Sequence, residues 1–160
     1  MPVCSLNRET LEQLLGLHGL RISWVAADAE IPGSYWGDSE AGLIGSVLYL
    51  RPDTPVHSAL HEACHCICMG DARREALHTD AGGADVEEHA VCYLQCLLAD
   101  QLAGYSRERA WADMDAWGYN FILGSAQAWF ERDADDARGW LLRHGLIDAE
   151  ETPLLRKRDD

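Results

Sequence analysis

The chain has 160 residues, of which 48% are hydrophobic, and this favours a single packed domain spanning residues 1–160. Its formal net charge of −14 is spread along the chain and would repel phosphate backbones, so we expect no nucleic-acid partner. No stretch is long and apolar enough to span a bilayer, and the N-terminus lacks signal-peptide features. We therefore expect a cytoplasmic protein without a membrane partner, of undetermined oligomeric state.

The first fifty residues are predicted to form one helix and two strands. Ser5 can cap a helix that runs to about His18, and its apolar stripe is Leu6, Leu11, Leu14 and Leu15. The alternating segment LRISWV predicts a strand over residues 20–26. Residues 28–42 contain a proline and several glycines and predict a loop or irregular hairpin. Residues 42–50 then predict a second strand.

The second predicted helix carries the most distinctive residues of the chain. Asp53 or Thr54 can cap this helix, with Pro55 at its first position, and Gly70 ends it. Residues 71–84 are polar and predict a loop. The helix would therefore follow the second strand directly.

The remainder of the chain is predicted to be helical. Asp85 can cap an apolar helix that ends near Gly104, and Ser106 begins another whose inward residues would be Trp111, Met114 and Trp117. Residues 125–144 predict one or two amphipathic helices, and a charged tail from about residue 153 is expected to be frayed. The fold class is thus α+β: a small sheet packed against several helices, with an α-helical C-terminal half.

The sequence His61-Glu62-Ala63-Cys64-His65 is an HExxH motif on the second predicted helix. Histidines four residues apart on a helix lie roughly 40° apart around its axis and about 6 Å apart along it. His61 and His65 can therefore reach one metal ion from the same face. Zinc would lower the pKa of a bound water to about 7, and Glu62 could take its proton as a carbonyl is attacked.

A catalytic zinc ion usually needs a third protein ligand. The candidates are Asp80, Asp85, Glu87, Glu88, His78 and His89. Glu87 lies in line with the most apolar face of the following helix, whereas Glu88 lies in line with Cys92 and Gln95 on a more mixed face. Since a buried carboxylate needs a partner, the helix phase favours Glu87 as the metal ligand over Glu88.

Other polar residues near the motif have less defined roles. His57 shares the histidine face only roughly, and we interpret it as an ordinary residue near the helix start. Cys64, Cys68, Cys92 and Cys96 could form a second, thiolate site, but they lack the spacing of structural zinc sites, so core packing is favoured. An oxyanion on the attacked carbonyl would need a hydrogen-bond donor. The sequence offers four candidates and does not distinguish among them: His78, His89, Tyr93 and Tyr119.

The motif and the segment that starts at Glu87 resemble the gluzincins, zinc metallopeptidases with HExxH and a glutamate ligand on a later helix. The layout is most similar to the ImmA/IrrE type, whose ligand helix has the pattern ExxANxFAxxLL; here the segment is EEHAVCYLQCLL. The resemblance covers about residues 5–100 and implies His61, His65 and Glu87 as ligands and Glu62 as general base. Val91 and Leu94 depart from the pattern, which puts the role of the family asparagine in doubt.

The resemblance implies a zincin-like peptidase domain with one Zn²⁺ per chain, acting on a peptide or protein substrate. An alternative is a non-catalytic zinc-binding regulatory or protein-interaction module whose tryptophan-rich C-terminal half forms a partner surface. A third hypothesis is a metal-free helical core in which the motif occurs by chance.

Overall fold

The structure, a computed structural model, describes residues 1–159, and it is α+β with a helical majority. The strands are β1 (Arg21–Trp24), β2 (Gly42–Ile44) and β3 (Val47–Leu50). The helices are α1 (Arg8–Leu17), α2 (Val56–Cys68), α3 (Asp71–Glu75), α4 (Asp85–Gln101), α5 (Arg107–Trp117), α6 (Ala126–Arg132) and α7 (Asp135–Arg143).

Helix α1 begins later than the sequence predicts. Ser5 lies in a short 3-10 turn, and the side chain of Asn7 caps α1 instead by accepting a hydrogen bond of 2.9 Å from the amide of Glu9. The predicted apolar stripe is buried against the sheet side of the core.

The sheet has the order β1-β3-β2, with β3 parallel to β1 and antiparallel to β2. The prediction of one strand over residues 42–50 is wrong, because the chain reverses at Gly45 and Ser46 and pairs Ile44 with Val47. Gly45 has φ +57°, a left-handed conformation that glycine adopts without steric cost, and the reversal depends on it. The apolar run is therefore a hairpin whose second strand leads into α2.

Helix α2 lies between the sheet and α4, and almost all of its residues are buried. Pro55 occupies its N-cap position rather than its first helical position, and Thr54 instead caps the preceding turn by accepting a hydrogen bond of 3.0 Å from the amide of Arg51. Met69 has extended backbone and ends the helix. The HExxH motif is thus held on a rigid element with its polar face toward α4.

Residues 71–84 are not entirely a loop. Residues 71–75 form α3, whose buried Arg74 donates to the carbonyl oxygen of Cys66 at 2.8 Å. Its guanidinium also donates to the carbonyl oxygens of Met69 and Arg158. The chain after α2 is thereby fixed before it reaches the site.

The C-terminal helices follow the predictions more closely. Ser106 caps α5 by accepting a hydrogen bond of 3.2 Å from the amide of Arg109, and residues 125–144 contain both α6 and α7. Trp111 and Met114 are buried as predicted, but Trp117 is 47% exposed, so its inward placement is wrong. Trp117 lies at the last turn of α5, where the helix leaves the core.

The charged tail packs onto the domain instead of fraying. The amide of Arg158 donates to the carbonyl oxygen of Ile67 at 2.8 Å, and Nζ of Lys157 donates to Oγ of Ser46 at 3.1 Å. Arg74 supplies a third contact through the carbonyl oxygen of Arg158 at 3.0 Å. The tail's cations thus find fixed acceptors on α2 and the hairpin.

One cluster of buried apolar side chains joins the sheet to the helices. Five of the six cysteines are buried in it as free thiols, and Cys4 is exposed. Within residues 1–159, none of the helices has both the length and the apolar character needed to cross a membrane.

Candidate metal centre

Helices α2 and α4 bring three metal-binding side chains together: His61, His65 and Glu88. The Nε2 atoms of the two histidines are 3.1 Å apart. Oε1 of Glu88 lies 3.2 Å from Nε2 of His61, and Oε2 of Glu88 lies 3.4 Å from Nε2 of His65. Among residues 1–159 this is the one group of three or more such side chains whose ligand atoms converge.

The spacing of these atoms fits a metal ion. Two ligand atoms about 2.0–2.1 Å from a tetrahedral zinc ion lie about 3.3–3.4 Å from each other. The observed separations of 3.1–3.4 Å between the ligand atoms of the triad match this value. The cluster could therefore hold a metal ion without rearranging α2 or α4.

Gln95, which is fully buried on α4, fixes the orientation of His61. Its Oε1 lies 3.1 Å from Nδ1 of His61, and its Nε2 donates to the carbonyl oxygen of His57 at 2.9 Å. Because Oε1 can only accept, Nδ1 carries the proton when the ring of His61 is neutral, and Nε2, which faces Glu88, is then free to bind a cation. Gln95 thus supports a histidine of the cluster, whereas in the sequence it was recognised only as a polar residue in line with Glu88.

Replacing Gln95 by leucine should lower the affinity of the cluster for a metal ion by about 10- to 100-fold, because His61 loses the acceptor that sets its tautomer. Competition with a chromophoric chelator measures this. Gln101→Leu, at the exposed end of the same helix, is the matched control. Equal affinities for both variants would show that Gln95 does not orient the ligand.

The two histidines have opposite protonation tendencies in the metal-free cluster. Burial and the charge of His61 together lower the pKa of His65 to about 3. Burial also acts to lower the pKa of His61, but Tyr119, Cys92 and Glu88 outweigh it and raise that pKa well above its usual value. In the metal-free cluster His61 is therefore the ring that tends to be charged, beside Glu88, and His65 stays neutral.

Glu87 does not join the triad. It is buried, as the helix phase predicted, but its carboxylate lies 2.7 Å from Nη2 of Arg73 and 3.6 Å from Nη1 of Arg158. Two guanidinium groups from outside α4 therefore supply the partner that we had assigned to a metal. Neighbouring residues on a helix point about 100° apart. Glu87, which is turned toward Arg73, is therefore turned away from His61 and His65.

Glu62 lies beside the triad and is not part of it. Its side chain is half-buried and lines the same cavity as the two histidines and Glu88. Burial raises the pKa of Glu62 to about 7; the proton on His61 opposes this, and the negative charges of Glu40, Glu88 and Asp80 add to it. A carboxylate in this position can exchange a proton with a molecule held at the cluster.

A cavity of about 500 Å³ opens in front of the cluster. Its walls include the polar residues of α2, the segment 79–82, the aromatic residues Tyr35 and Trp36, and the turn that follows α5. Because the cavity reaches the triad, a fourth coordination position would face open space. Open coordination is typical of catalytic sites, whereas structural sites are closed by protein ligands.

Tyr119 is carried into this cavity by the end of α5. Gly118 has φ +100°, and the amide of Tyr119 donates to the carbonyl oxygen of Met114 at 3.1 Å, so the chain turns back over α2. The ring of Tyr119 lies 5.7 Å from that of His61, edge to face. Burial raises the pKa of Tyr119 to about 12, so its hydroxyl keeps its proton at neutral pH.

The other three candidate donors to the oxyanion are less well placed than Tyr119. Tyr93 donates its hydroxyl to Glu151 at 2.8 Å, away from the cavity, and His78 contacts Thr79 in an exposed position. His89 lines the cavity but is half exposed and lies 3.3 Å from Asp136. Of the four, Tyr119 is the half-buried donor that lines the cavity.

His57 has a closer relation to the site than we expected. Its ring is buried in the cavity wall, 5.2 Å from the ring of Trp117 and 5.8 Å from that of Tyr119. Burial lowers the pKa of His57 to about 4, so it is neutral at physiological pH. It therefore adds an uncharged polar wall next to the triad.

A scan against protein-family models, a search of curated proteins and a search of solved structures each found no match. The resemblance stated above consequently rests on this chain's own residues. Of those, His61, Glu62 and His65 line one cavity, and Glu88 joins the two histidines where the resemblance implied Glu87.

Proposed function

We propose that the protein is a zinc-dependent metallopeptidase with a zincin-like fold of the gluzincin type, closest in layout to the ImmA/IrrE type. The observation that carries this proposal is the convergence of His61, His65 and Glu88 at the floor of an open cavity that Glu62 also lines. The established part is narrower: a His-His-Glu cluster that could hold a metal ion.

Zinc is the metal that we propose for this set of donors. Two imidazole nitrogens and one carboxylate are a common catalytic zinc set, and harder ions such as Mg²⁺ and Ca²⁺ prefer oxygen ligands alone. When bound, zinc supplies a Lewis acid that polarises a carbonyl group and makes water a nucleophile near neutral pH. His61, His65 and Glu88 would hold it, with Gln95 orienting His61.

Glu62 would act as the general base. It is adjacent in sequence to a ligand but lies outside the triad, so its carboxylate stays free to take a proton from the attacking water. It would then pass this proton to the leaving amine, which needs one to depart. The partial burial of Glu62 keeps this transfer away from bulk solvent.

Tyr119 would stabilise the oxyanion that forms on the attacked carbonyl. Its hydroxyl remains protonated and can donate a hydrogen bond that strengthens as negative charge develops. The Schellman-type turn at Gly118 holds the ring against His61, so the donor is positioned before substrate arrives. We assign this role to Tyr119 over His89, whose ring is exposed.

A peptide is the substrate class that the cavity entrance favours. Large apolar side chains stand exposed around it: Trp36 is 76% exposed, Tyr35 60% and Trp117 47%. Such exposed groups at the entrance of a cavity are typical of surfaces that bind another chain. This same surface also supports the alternative, a zinc-binding interaction module without turnover, and only activity separates the two.

Protein purified without chelator should contain about one zinc ion per chain and should hydrolyse a mixture of fluorogenic peptides. Removing the metal with a chelator should abolish hydrolysis, and adding zinc back should restore it. Zinc binding without hydrolysis would favour the interaction module. Absence of zinc, together with no affinity for added zinc, would overturn both proposals and leave the metal-free core.

A further inference from the structure

The cavity wall carries more negative charge than the proposed chemistry uses. Four of its residues are acidic, namely Glu40, Glu62, Asp80 and Glu88, and none of its lining residues in the described chain is lysine or arginine. Glu88 belongs to the triad and Glu62 is the proposed base. Glu40 and Asp80 have no role in binding a metal or moving a proton.

Of these two, Glu40 is the more constrained. It is half-buried, whereas Asp80 is exposed. The next residue, Ala41, is buried and donates its amide to Oγ of Ser58 on α2 at 3.0 Å, which fixes Glu40 above the motif helix. The charge of Glu40 acts on both His61 and Glu62, so it lies close to the reacting position without reaching the triad.

Aromatic residues surround Glu40 on the same wall. Trp117 and His57 pack against each other with ring centroids 5.2 Å apart, and the exposed Trp36 also lines the cavity. Nδ1 of His57 is buried without a hydrogen-bond partner among the described residues. We call Trp36, Glu40, His57 and Trp117 the Glu40 subsite.

We propose that the Glu40 subsite binds a lysine or arginine side chain next to the scissile bond, an inference that rests on the peptidase function proposed above. A half-buried carboxylate attracts a cation and disfavours an acidic side chain. The rings of Trp36 and Trp117 line the same cavity and can add cation–π attraction and cover the aliphatic stem of a long basic side chain. Glu40 already accepts hydrogen bonds from the side chain of Trp117 and the backbone of Trp36, but an apolar side chain would bury its charge further and bring no counter-charge.

The test compares two peptide series that differ only in having lysine or norleucine at successive positions around the cleaved bond. Hydrolysis is measured with the parent protein, and binding with the zinc-loaded Glu62→Gln variant by fluorescence anisotropy. At one position lysine should be favoured by about 10-fold or more in binding and in kcat/KM. This preference should weaken at high salt because part of it is electrostatic.

Glu40→Gln should reduce the ratio of lysine to norleucine by about 10-fold. Asp38→Asn is the matched control, since Asp38 is exposed, neighbours Glu40 and does not line the cavity. Zinc content and circular dichroism confirm that each variant is folded. If Glu40→Gln does not fold, the ratio and its salt dependence in the parent protein still test the proposal.

The outcomes separate the subsite from the peptidase function. Hydrolysis without any preference for lysine, or an equal fall of the ratio in Asp38→Asn, would overturn the subsite and leave the peptidase proposal standing. A preference for lysine in binding without hydrolysis would support the subsite and contradict the peptidase proposal.

Discussion

Replacing Glu62 by glutamine should lower kcat/KM for peptide hydrolysis by about 10²- to 10⁴-fold, the usual contribution of a general base. Glutamine has the same shape but cannot accept the proton of the attacking water at neutral pH. Because Glu62 is outside the His61-His65-Glu88 cluster, the variant should retain about one zinc ion per chain. Peptide hydrolysis and metal analysis on the same preparation give both quantities.

Glu75→Gln is a suitable control, because this residue ends α3 on the surface, outside the cavity. It makes the same chemical change and should leave kcat/KM and zinc content unaltered. If Glu62→Gln hydrolyses peptides as fast as the parent protein, Glu62 is not the base and the proposed mechanism is wrong. If Glu62→Gln loses its zinc, the residue serves the metal site instead of the proton transfer.

The motif helix could be recognised from sequence because its signal is local. Two histidines at positions i and i+4 face the same way on any α-helix, and the apolar residues around them predict which helix is buried. The structure accordingly brings His61 and His65 to one point and leaves Glu62 beside them.

The third acid could not be chosen by the same reasoning. Helix phase identifies which carboxylate is buried, and it correctly singled out Glu87, but burial does not reveal the partner. That partner is a pair of arginines, Arg73 from α3 and Arg158 from the tail, which the fold brings in from distant positions in the chain. The mixed face of Glu88, Cys92 and Gln95 was the relevant signal, because a metal ligand and its supporting residues need polar positions at the edge of a core.

Two other differences have separate origins. The reversal between β2 and β3 depends on the local conformation of Gly45, which the run of apolar residues on both sides of it obscured. The tail is ordered because Arg158 and Lys157 reach acceptors on Ile67 and Ser46. The charged composition of a terminus predicts fraying, but it does not reveal contacts with distant parts of the fold.

Glu88→Gln should weaken zinc binding by more than the roughly 10- to 100-fold typical of losing a supporting residue, because it removes a charged ligand. Glu87→Gln should leave zinc affinity close to that of the parent protein. It should instead lower the free energy of unfolding by about 1–3 kcal/mol, because Arg73 and Arg158 lose a buried acceptor. The two variants carry the same change at adjacent positions, so each controls for the other.

Chelator competition measures the affinities, and urea unfolding in the presence of a chelator measures stability without the contribution of bound metal. In that metal-free comparison Glu88→Gln should cost less stability than Glu87→Gln, since the carboxylate of Glu88 is 40% exposed and that of Glu87 is buried. The opposite pattern, with zinc affinity lost in Glu87→Gln and kept in Glu88→Gln, would return Glu87 to the ligand position. That result would require α4 to turn and Glu87 to leave both arginines, at a cost that the metal would have to offset.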